Sequence, residues 1–222
     1  MILITGASSG LGAALAKHYH ADDIDLLLTG RNSQRLARVK NTNAPCAQTV
    51  VADLSEPEQI QAVFKQATNP IQTVIHCAGS GLFGELGEQS PSEIKKLVQD
   101  NLTATIFFIQ AVVERYQDQA LDLVVVMSTA AQTAKSGEST YCAVKWGIKG
   151  FVESVRLELK NKPMNIIAVY PGGMATSFWQ SSGKQIDTRQ FMTADEAAIM
   201  LKQALTSSAH GYISDITINR KP

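Results

Sequence analysis

Residues 5–12 read Thr5-Gly6-Ala7-Ser8-Ser9-Gly10-Leu11-Gly12 and lie between an apolar run and a stretch with helical spacing. In such a turn Gly6 permits the tight bend, Gly10 lets the backbone approach a pyrophosphate, and Gly12 lets helix and strand pack closely. The helix that follows offers unpaired N–H groups and its positive dipole end to an anion. The turn therefore predicts a dinucleotide site, although glycines that only satisfy backbone angles would also explain it.

Strand-type and helix-type segments alternate along the chain. The strand-type runs are Ile2–Thr5, Ile24–Thr29, Gln48–Val51, Thr73–His76, Leu121–Met127, Asn165–Val169 and Tyr212–Ile218. Helical spacing covers Leu11–His20, Ser33–Lys40, Pro57–Ala67, Ser92–Glu114, Thr140–Lys160 and Ala194–Thr206. The one long irregular segment is Pro171–Met192. Because near-continuous apolar strands suit a parallel sheet covered on both faces, we predict a doubly wound, three-layer α/β/α Rossmann fold with a seven-stranded sheet.

The composition fits one globular domain over residues 1–222. Hydrophobic residues make up 45% and charged residues 18% of the chain. Lys plus Arg and Asp plus Glu both number 20, so no positive field attracts nucleic acid. No signal-type segment follows Met1, and the most apolar stretch, Leu102–Val113, is too short to span a membrane. We expect a cytoplasmic protein without nucleic-acid or membrane partners, whose single domain both binds the dinucleotide and performs the chemistry.

The cysteines indicate neither a metal site nor a disulfide framework. Cys46, Cys77 and Cys142 are odd in number and widely spaced. They form no Cys-x-x-Cys pair and have no histidine at metal-ligand spacing. We expect reduced, structural thiols and no bound metal.

The end of the second strand bears on which dinucleotide binds. An NAD-binding sheet usually carries Asp or Glu there, which holds the ribose 2′-hydroxyl. This chain has Thr29-Gly30-Arg31 instead, and a guanidinium pairs with a 2′-phosphate that a carboxylate would repel. Ser9 and Asn32 would supply further donors to that phosphate. The sequence thus favours NADP(H) over NAD(H), with a solvated arginine at a helix start as the alternative.

Tyr141 and Lys145 lie four residues apart on a helical segment and so share one face. A nearby ammonium favours the phenolate, so we expect Lys145 to lower the pKa of Tyr141 from its usual value of about 10. Ser128 follows an apolar strand at the carboxyl edge of the sheet, where such folds bind ligands. Alone, the Tyr-x-x-x-Lys pair would fit packing beside a lysine that extends to solvent. With the glycine turn and Ser128, it favours proton-transfer chemistry.

In their order along nearly the whole chain, these residues resemble the short-chain dehydrogenase/reductase family. The serine 13 residues before the tyrosine is typical of that family. The resemblance implies an oxidoreductase that interconverts a carbonyl and an alcohol, with Tyr141 as acid/base and Ser128 fixing the substrate oxygen. Lys145 would hold the nicotinamide ribose and favour the anionic tyrosine. The backbone carbonyl of Asn101 would hold a water in a proton relay to Lys145, a role compatible with a buried structural amide.

The resemblance also implies a set of cofactor contacts. Asp53 matches an adenine-contacting aspartate, and Pro171-Gly172-x-x-x-Thr176 matches a turn that holds the nicotinamide carboxamide. A plain Pro-Gly turn would explain the dipeptide but not the threonine spacing. The cofactor-binding residues expected on this basis are Gly6, Ser8, Ser9, Gly10, Leu11, Gly12, Arg31, Asn32, Asp53, Leu54, Ala78, Gly79, Tyr141, Lys145, Pro171, Gly172 and Thr176.

Two segments depart from the family pattern. His76-Cys77-Ala78-Gly79 stands where the family usually has Asn-Asn-Ala-Gly, so the asparagine hydrogen bonds are lost or replaced. The end of the chain lacks the usual Asp-Gly-Gly tail, so family rules for tetramer contacts and pocket closure need not apply. By analogy with similar proteins we expect a homodimer or homotetramer built on the helices Ser92–Glu114 and Thr140–Lys160.

The substrate and two rival functions remain open. Six apolar residues lie in loops near the expected pocket and suggest a small apolar carbonyl or alcohol substrate, although they would equally pin the loops: Leu82, Phe83, Phe178, Trp179, Phe191 and Met192. Ser177–Gln190 is predicted to close over substrate as a lid. A non-catalytic dinucleotide-binding regulator would use the same fold, but would not need Ser128, Tyr141 and Lys145. A methyltransferase would not need the tyrosine–lysine pair, and a sugar epimerase usually carries a larger substrate domain.

Overall fold

A computed structural model of the chain describes residues 1–183, 186–206 and 210–221. The strands in these ranges are β1 (Ile2–Thr5), β2 (Leu26–Gly30), β3 (Gln48–Val51), β4 (Thr73–His76), β5 (Asp122–Val126), β6 (Asn165–Pro171), β7 (Met174–Ala175), β8 (Met192–Thr193) and β9 (Asp215–Ile218). The helices are α1 (Gly10–His20), α2 (Ser33–Asn43), α3 (Pro57–Lys65), α4 (Pro91–Val98), α5 (Ala104–Tyr116), α6 (Ser139–Glu158), α7 (Phe178–Ser181) and α8 (Ala194–Ala204).

The main sheet has the strand order β3-β2-β1-β4-β5-β6-β9, and each neighbouring pair is parallel. The chain first builds outward from β1 to β3 and then returns to β4 on the other side of β1. Ligands of doubly wound folds bind outside the carboxyl ends of the strands at such a reversal. The predicted seven-stranded Rossmann fold is therefore confirmed, and the β1–β4 junction is the expected position of a ligand.

Apolar residues cover both faces of this sheet. Successive strand residues point to opposite faces, so Leu3 enters one core cluster and Ile4 the other. Helices α3, α5 and α6 contribute to the first cluster, and α1, α2 and α8 to the second. The result is the three-layer arrangement, in which burial of both faces stabilises the sheet.

The segment predicted as helical over Ser92–Glu114 is helical from Pro91 to Tyr116, with an unforeseen π-helical stretch, Gln99–Thr103, between α4 and α5. One sequence-based expectation about elements is wrong. Pro171–Met192, predicted to be irregular, contains β7 and α7, and β7 pairs with β8. These elements have two to four residues, too few for a hydrophobic period, and they depend on tertiary contacts such as Trp179 Nε1 donating to the Met174 carbonyl at 2.8 Å.

Element ends differ from the prediction by up to three residues. Strand β2 begins at Leu26 rather than Ile24, and β9 begins at Asp215 rather than Tyr212. Apolar content extends beyond the backbone pairing at these positions, so composition alone overestimates the strands. Among the described residues, no helix combines the length and apolar content needed to cross a bilayer.

Candidate active site

A cleft of about 570 Å³ opens at the carboxyl edge of the sheet. Every residue expected to contact the cofactor lines it, from Gly6 in the first turn to Thr176 after β7. Ser128 lines it as well, whereas Asn101 lies behind its wall. The fold thus brings together residues that are widely separated in sequence, because β1, β2, β4, β5 and β6 all end at this edge.

The glycine turn enters the cleft between β1 and α1. Gly6 has φ +63°, and a Cβ there would lie 2.7 Å from the backbone nitrogen of Ala78. A Cβ on Gly12 would lie 2.6 Å from the Gly6 carbonyl oxygen, so both positions exclude a side chain by backbone packing. A Cβ on Gly10 would meet only the Thr176 side chain, at 3.8 Å, across the cleft. The cap residue Ser9 makes no side-chain bond to α1, which leaves the first N–H groups available to an anion.

Arg31 follows β2 and takes part in an ion-pair network. Its Nη1 donates to Oδ1 of Asp100 at 2.8 Å and lies 3.9 Å from Oδ2 of Asp53. Lys96 donates to the other oxygen of Asp100 at 3.0 Å. The sequence analysis missed Asp100 and Lys96, because they lie about 70 residues from Arg31 in sequence. The one available signal was Asp100 itself, a charge directly before Asn101 in a helical segment.

Two other predicted contacts already have local partners. Asn32 Oδ1 accepts from the backbone N–H of Arg35 at 2.8 Å and caps α2. Asp53 Oδ1 accepts from both the backbone and the hydroxyl of Ser55 at 2.9 Å. These bonds, followed by the Arg31 charge, hold the pKa of Asp53 below its ordinary value despite burial. Both residues therefore present fixed rather than freely rotating groups to the cleft.

The two helical residues of the candidate catalytic group, Tyr141 and Lys145, are buried on α6. Ser128 follows β5, and its Oγ accepts from the backbone N–H of Ala130 at 3.1 Å. Ser128 also approaches the Tyr141 side chain, and this interaction favours the phenolate form. Lys145 Nζ lies 5.6 Å from the centre of the Tyr141 ring. The three side chains therefore meet in one corner of the cleft.

The pKa of Tyr141 runs against the sequence-based expectation. Burial raises it above the ordinary value, and the interaction with Ser128 only partly offsets that effect. Burial also lowers the pKa of Lys145 to about 8. Both charged forms lose solvation in this corner, and for Tyr141 that loss outweighs the opposing effect of Ser128. Tyr141 therefore holds its proton at neutral pH, and the predicted lowering of its pKa by Lys145 is wrong for the protein alone.

Asn101 lies in the π-helical stretch and is fully buried. Its Nδ2 donates to the Leu97 carbonyl at 3.0 Å and to Ser80 Oγ at 3.1 Å, and its Oδ1 accepts from the Ser80 N–H at 3.2 Å. A Cβ on Gly79 would lie 2.9 Å from this Oδ1 and 3.4 Å from Lys145 Nζ. The side-chain amide of Asn101 thus fixes the loop after β4 beside Lys145. It is the buried structural amide that the sequence analysis considered compatible with a proton-relay role.

Comparisons with known proteins identify the family of the chain. The family model described as short chain dehydrogenase matches residues 1–187. This chain belongs to the short-chain dehydrogenase/reductase family. A crystal structure of a short-chain dehydrogenase/reductase from Vibrio parahaemolyticus is 49% identical, with a TM-score of 0.91 and full coverage of both chains. The protein is therefore an oxidoreductase of this family, with its Rossmann fold.

Two further relatives have more specific names. Sepiapterin reductase of Chlorobaculum tepidum is 27% identical, over 94% of this chain and 91% of the relative. A short-chain dehydrogenase from Sphingobium yanoikuyae, solved in complex with NADPH, is 26% identical with a TM-score of 0.82. The match covers 96% of this chain and 86% of that one.

His76 replaces the first asparagine of the family motif in this short-chain dehydrogenase. Its Nδ1 lies 2.9 Å from Thr5 Oγ1, and its Nε2 lies 3.0 Å from Thr105 Oγ1. Thr5 Oγ1 also accepts from the backbone N–H of Ala78 at 3.2 Å. The ring stacks on Phe108, and burial lowers the pKa of His76 to about 3, so the imidazole is neutral. In place of the asparagine hydrogen bonds, His76 on β4 thus joins β1 to α5 through Thr5 and Thr105.

An aromatic cluster forms the wall of the cleft beside Tyr141. Phe83 contacts Tyr141 edge-on with 5.2 Å between ring centres, and Phe178 lies 5.9 Å from Phe83. Leu82, Phe83, Phe178 and Trp179 line the cleft as predicted, whereas Phe191 packs behind Trp179 at 5.6 Å and Met192 joins the core. Packing against these aromatic side chains contributes to the burial of Tyr141.

The segment predicted as a lid, Ser177–Gln190, is in part regular structure. It begins with α7, and the Ser182 carbonyl accepts from the backbone N–H of Phe83 at 2.9 Å. Lys184 and Gln185 lie outside the described residues. The hydrogen bond to Ser182 joins the segment to the loop carrying Phe83, and the segment's own Phe178 and Trp179 belong to the aromatic wall.

Proposed function

We propose that this protein is an NADP(H)-dependent oxidoreductase that interconverts a carbonyl and an alcohol on a small, apolar substrate, with Tyr141 as the acid/base. The observation that carries the proposal is the meeting of Ser128, Tyr141 and Lys145 at one end of a cleft whose other end is the glycine turn. The alternative of a non-catalytic dinucleotide-binding protein would leave the buried lysine without a purpose, since burying an ammonium opposes folding.

The chain's residues fit a dinucleotide. The open side of Gly10 and the uncapped N–H groups of α1 suit a pyrophosphate, and the cleft continues from there to Lys145. A bound nicotinamide would supply or accept a hydride at the substrate carbon. Pro171, Gly172 and Thr176 line the same cleft as Tyr141, and the Thr176 side chain lies across from Gly10, which supports their proposed contact with the cofactor.

In carbonyl reduction, Tyr141 would donate the proton and Ser128 would hold the substrate oxygen. The raised pKa of Tyr141 suits an acid that keeps its proton until the oxygen becomes basic. As the phenol loses that proton, the Lys145 ammonium would stabilise the phenolate, and its own lowered pKa supports exchange of a proton near pH 8. Asn101 would act by fixing the loop beside Lys145. The aromatic wall favours an apolar substrate and keeps bulk water from the phenol.

Several broader features belong to the same proposal. One domain, residues 1–222, would bind the cofactor and carry out the reaction in the cytoplasm. Self-association as a homodimer or homotetramer is supported by two apolar side chains of α6, Trp146 and Leu157, which are 48% and 76% exposed.

The preference for NADP(H) is supported by Arg31 at the adenosine end of the cleft. Its side chain is 47% exposed and lines the cleft directly after β2, where a 2′-phosphate would arrive. The NADPH complex of the Sphingobium yanoikuyae relative supports the same cofactor class.

Titration with NADPH and with NADH, followed by fluorescence, tests this preference. We expect NADPH to bind more tightly, and Arg31→Ala to weaken NADPH by about 10- to 100-fold, the value of a charge-assisted hydrogen bond, while NADH changes little. Arg38→Ala is the matched control, because Arg38 is exposed on α2 and does not line the cleft. Failure of both dinucleotides to bind would overturn the proposed function, and equal binding of the two would overturn the cofactor preference.

A further inference from the structure

Four charged side chains alternate in sign at the adenosine end of the cleft. Asp53 and Arg31 lie 3.9 Å apart, Arg31 and Asp100 2.8 Å apart, and Asp100 and Lys96 3.0 Å apart. All four line the cleft. The two cations and the two carboxylates cancel, so a phosphate that approaches Arg31 meets a neutral cluster rather than a free positive charge.

Asp100 is the central member of this cluster. Its carboxylate is 6% exposed, against 47% for Arg31 and 67% for Lys96, and each of its oxygens accepts from one cation. The carboxylate therefore has little water to screen its charge, whereas the cation beside it faces the cleft. Burial alone would lower the pKa of Arg31, but the hydrogen bond and charge of Asp100, followed by the charge of Asp53, together raise it.

We infer that Asp100 is a specificity-determining residue that weakens the discrimination between NADPH and NADH. Its charge lies one hydrogen bond away from the guanidinium proposed to bind the 2′-phosphate. That phosphate carries a charge of about −1.5 to −2 at neutral pH, so it is repelled by Asp100 while Arg31 attracts it. NADH carries a 2′-hydroxyl at this position and does not experience the same repulsion. The inference rests on the proposed binding of a dinucleotide in this orientation.

Asp100 also positions Arg31, and the two effects can be separated by chemistry. Asparagine keeps an oxygen that accepts from Arg31 Nη1 but removes the negative charge. If repulsion dominates, Asp100→Asn tightens NADPH binding. If Asp100 mainly orients the guanidinium through its charge, the same substitution weakens it. We expect repulsion between Asp100 and the 2′-phosphate to dominate. The buried carboxylate is screened by little water, whereas the exposed guanidinium of Arg31 is screened by solvent.

The experiment measures equilibrium binding of NADPH and NADH by isothermal titration calorimetry. We expect Asp100→Asn to tighten NADPH by roughly tenfold, as expected for one removed charge at a partly screened distance, and to change NADH less than threefold. In an Arg31→Ala background the same substitution should still tighten NADPH, because the repulsion acts on the phosphate directly. Asp118→Asn is the matched control, because Asp118 pairs with Lys162 and lies outside the cleft.

The outcomes separate the inference from the proposed function. Unchanged or weaker NADPH binding by Asp100→Asn, with Arg31→Ala still abolishing the NADPH preference, overturns the inference and leaves the proposed function standing. Equal tightening of NADPH and NADH also overturns it, because the effect would then not act on the 2′-phosphate. Failure of the wild-type protein to bind either dinucleotide overturns both.

Discussion

Tyr141 and Lys145 show how strongly burial controls the chemistry of single residues. Both side chains are almost removed from solvent, and each is shifted towards its neutral form. The phenol of Tyr141 keeps its proton, and the nearby ammonium of Lys145, with a pKa of about 8, loses its proton more easily than an exposed lysine. Burying these two groups opposes folding, since neither charged form is well solvated. Such unfavourable burial of ionisable groups is typical of functional sites, where the chemistry requires shifted pKa values.

Replacement of Tyr141 by Phe tests the catalytic hypothesis against the non-catalytic one. We expect turnover of a carbonyl substrate to fall by roughly 10²- to 10⁴-fold, the usual value of general acid–base catalysis, because the substitution removes the hydroxyl proposed to donate the proton. NADPH binding should change little, as the ring framework is kept. Steady-state kinetics and calorimetry measure the two effects.

Tyr116→Phe serves as the control for that prediction. Tyr116 ends α5 and lies outside the cleft, so its hydroxyl should not affect turnover. Full activity of Tyr141→Phe would exclude Tyr141 as the acid and favour a role limited to packing against Phe83.

At the scale of elements, the loop after β4 is the point where the π-helical stretch and α6 meet. Asn101 binds this loop through Ser80, and Lys145 approaches it at Gly79. The π-helical stretch holds more residues per turn than an α-helix. A regular α-helix through residues 99–103 would point the Asn101 side chain in a different direction. Lys145 is therefore positioned by three elements rather than by α6 alone.

Gly79→Ala should disturb this junction. The added methyl group would lie 2.9 Å from Asn101 Oδ1 and 3.4 Å from Lys145 Nζ. We expect a loss of about 1–3 kcal/mol in the free energy of unfolding, together with reduced turnover. Gly87→Ala is the matched control, because a Cβ there meets nothing within 4 Å. Denaturant unfolding of the two variants measures the difference, and an equal response would show that the junction is loosely packed.

At the scale of the whole molecule, His76 connects the central strands to one helical layer. It bonds Thr5 at the end of β1 and Thr105 on α5, and its ring stacks on Phe108. A folded pKa of about 3, well below the usual value of 6.5, means that the folded protein keeps this imidazole neutral. Protonation is thereby linked to unfolding of the whole domain.

The stability contributed by neutral His76 should be lost as the pH falls from 6.5 towards 3. In that range the unfolded chain binds a proton that the folded protein excludes, so the free energy of unfolding rises with pH. Between pH 7 and pH 5 we expect about 2 kcal/mol of pH dependence from this residue. His76→Asn should remove it, whereas His20→Gln, at the solvated end of α1, should not. Urea unfolding at both pH values measures this, and identical pH dependence in the wild type and His76→Asn would contradict it.

The sequence determined the fold through patterns that are local. The glycine turn, the alternating apolar runs and the Tyr141–Lys145 spacing each depend on residues within one or two turns of chain, so they could be interpreted without a structure. Most of the other cleft-lining residues were expected from the family resemblance, and they meet because parallel strands bring their carboxyl ends to one edge. The sequence could not supply the π-helical stretch, the short elements of Pro171–Met192, or the His76 bridge.

What only the tertiary structure decided is the environment of each charge. Arg31 is a free cation in the sequence, but the fold places Asp100 beside it, and no local pattern links two positions about 70 residues apart. The direction of the Tyr141 pKa shift likewise depends on burial by Phe83 and Phe178, which come from other parts of the chain. Solvation and charge pairing depend on the groups that surround a side chain, and only folding brings those groups together.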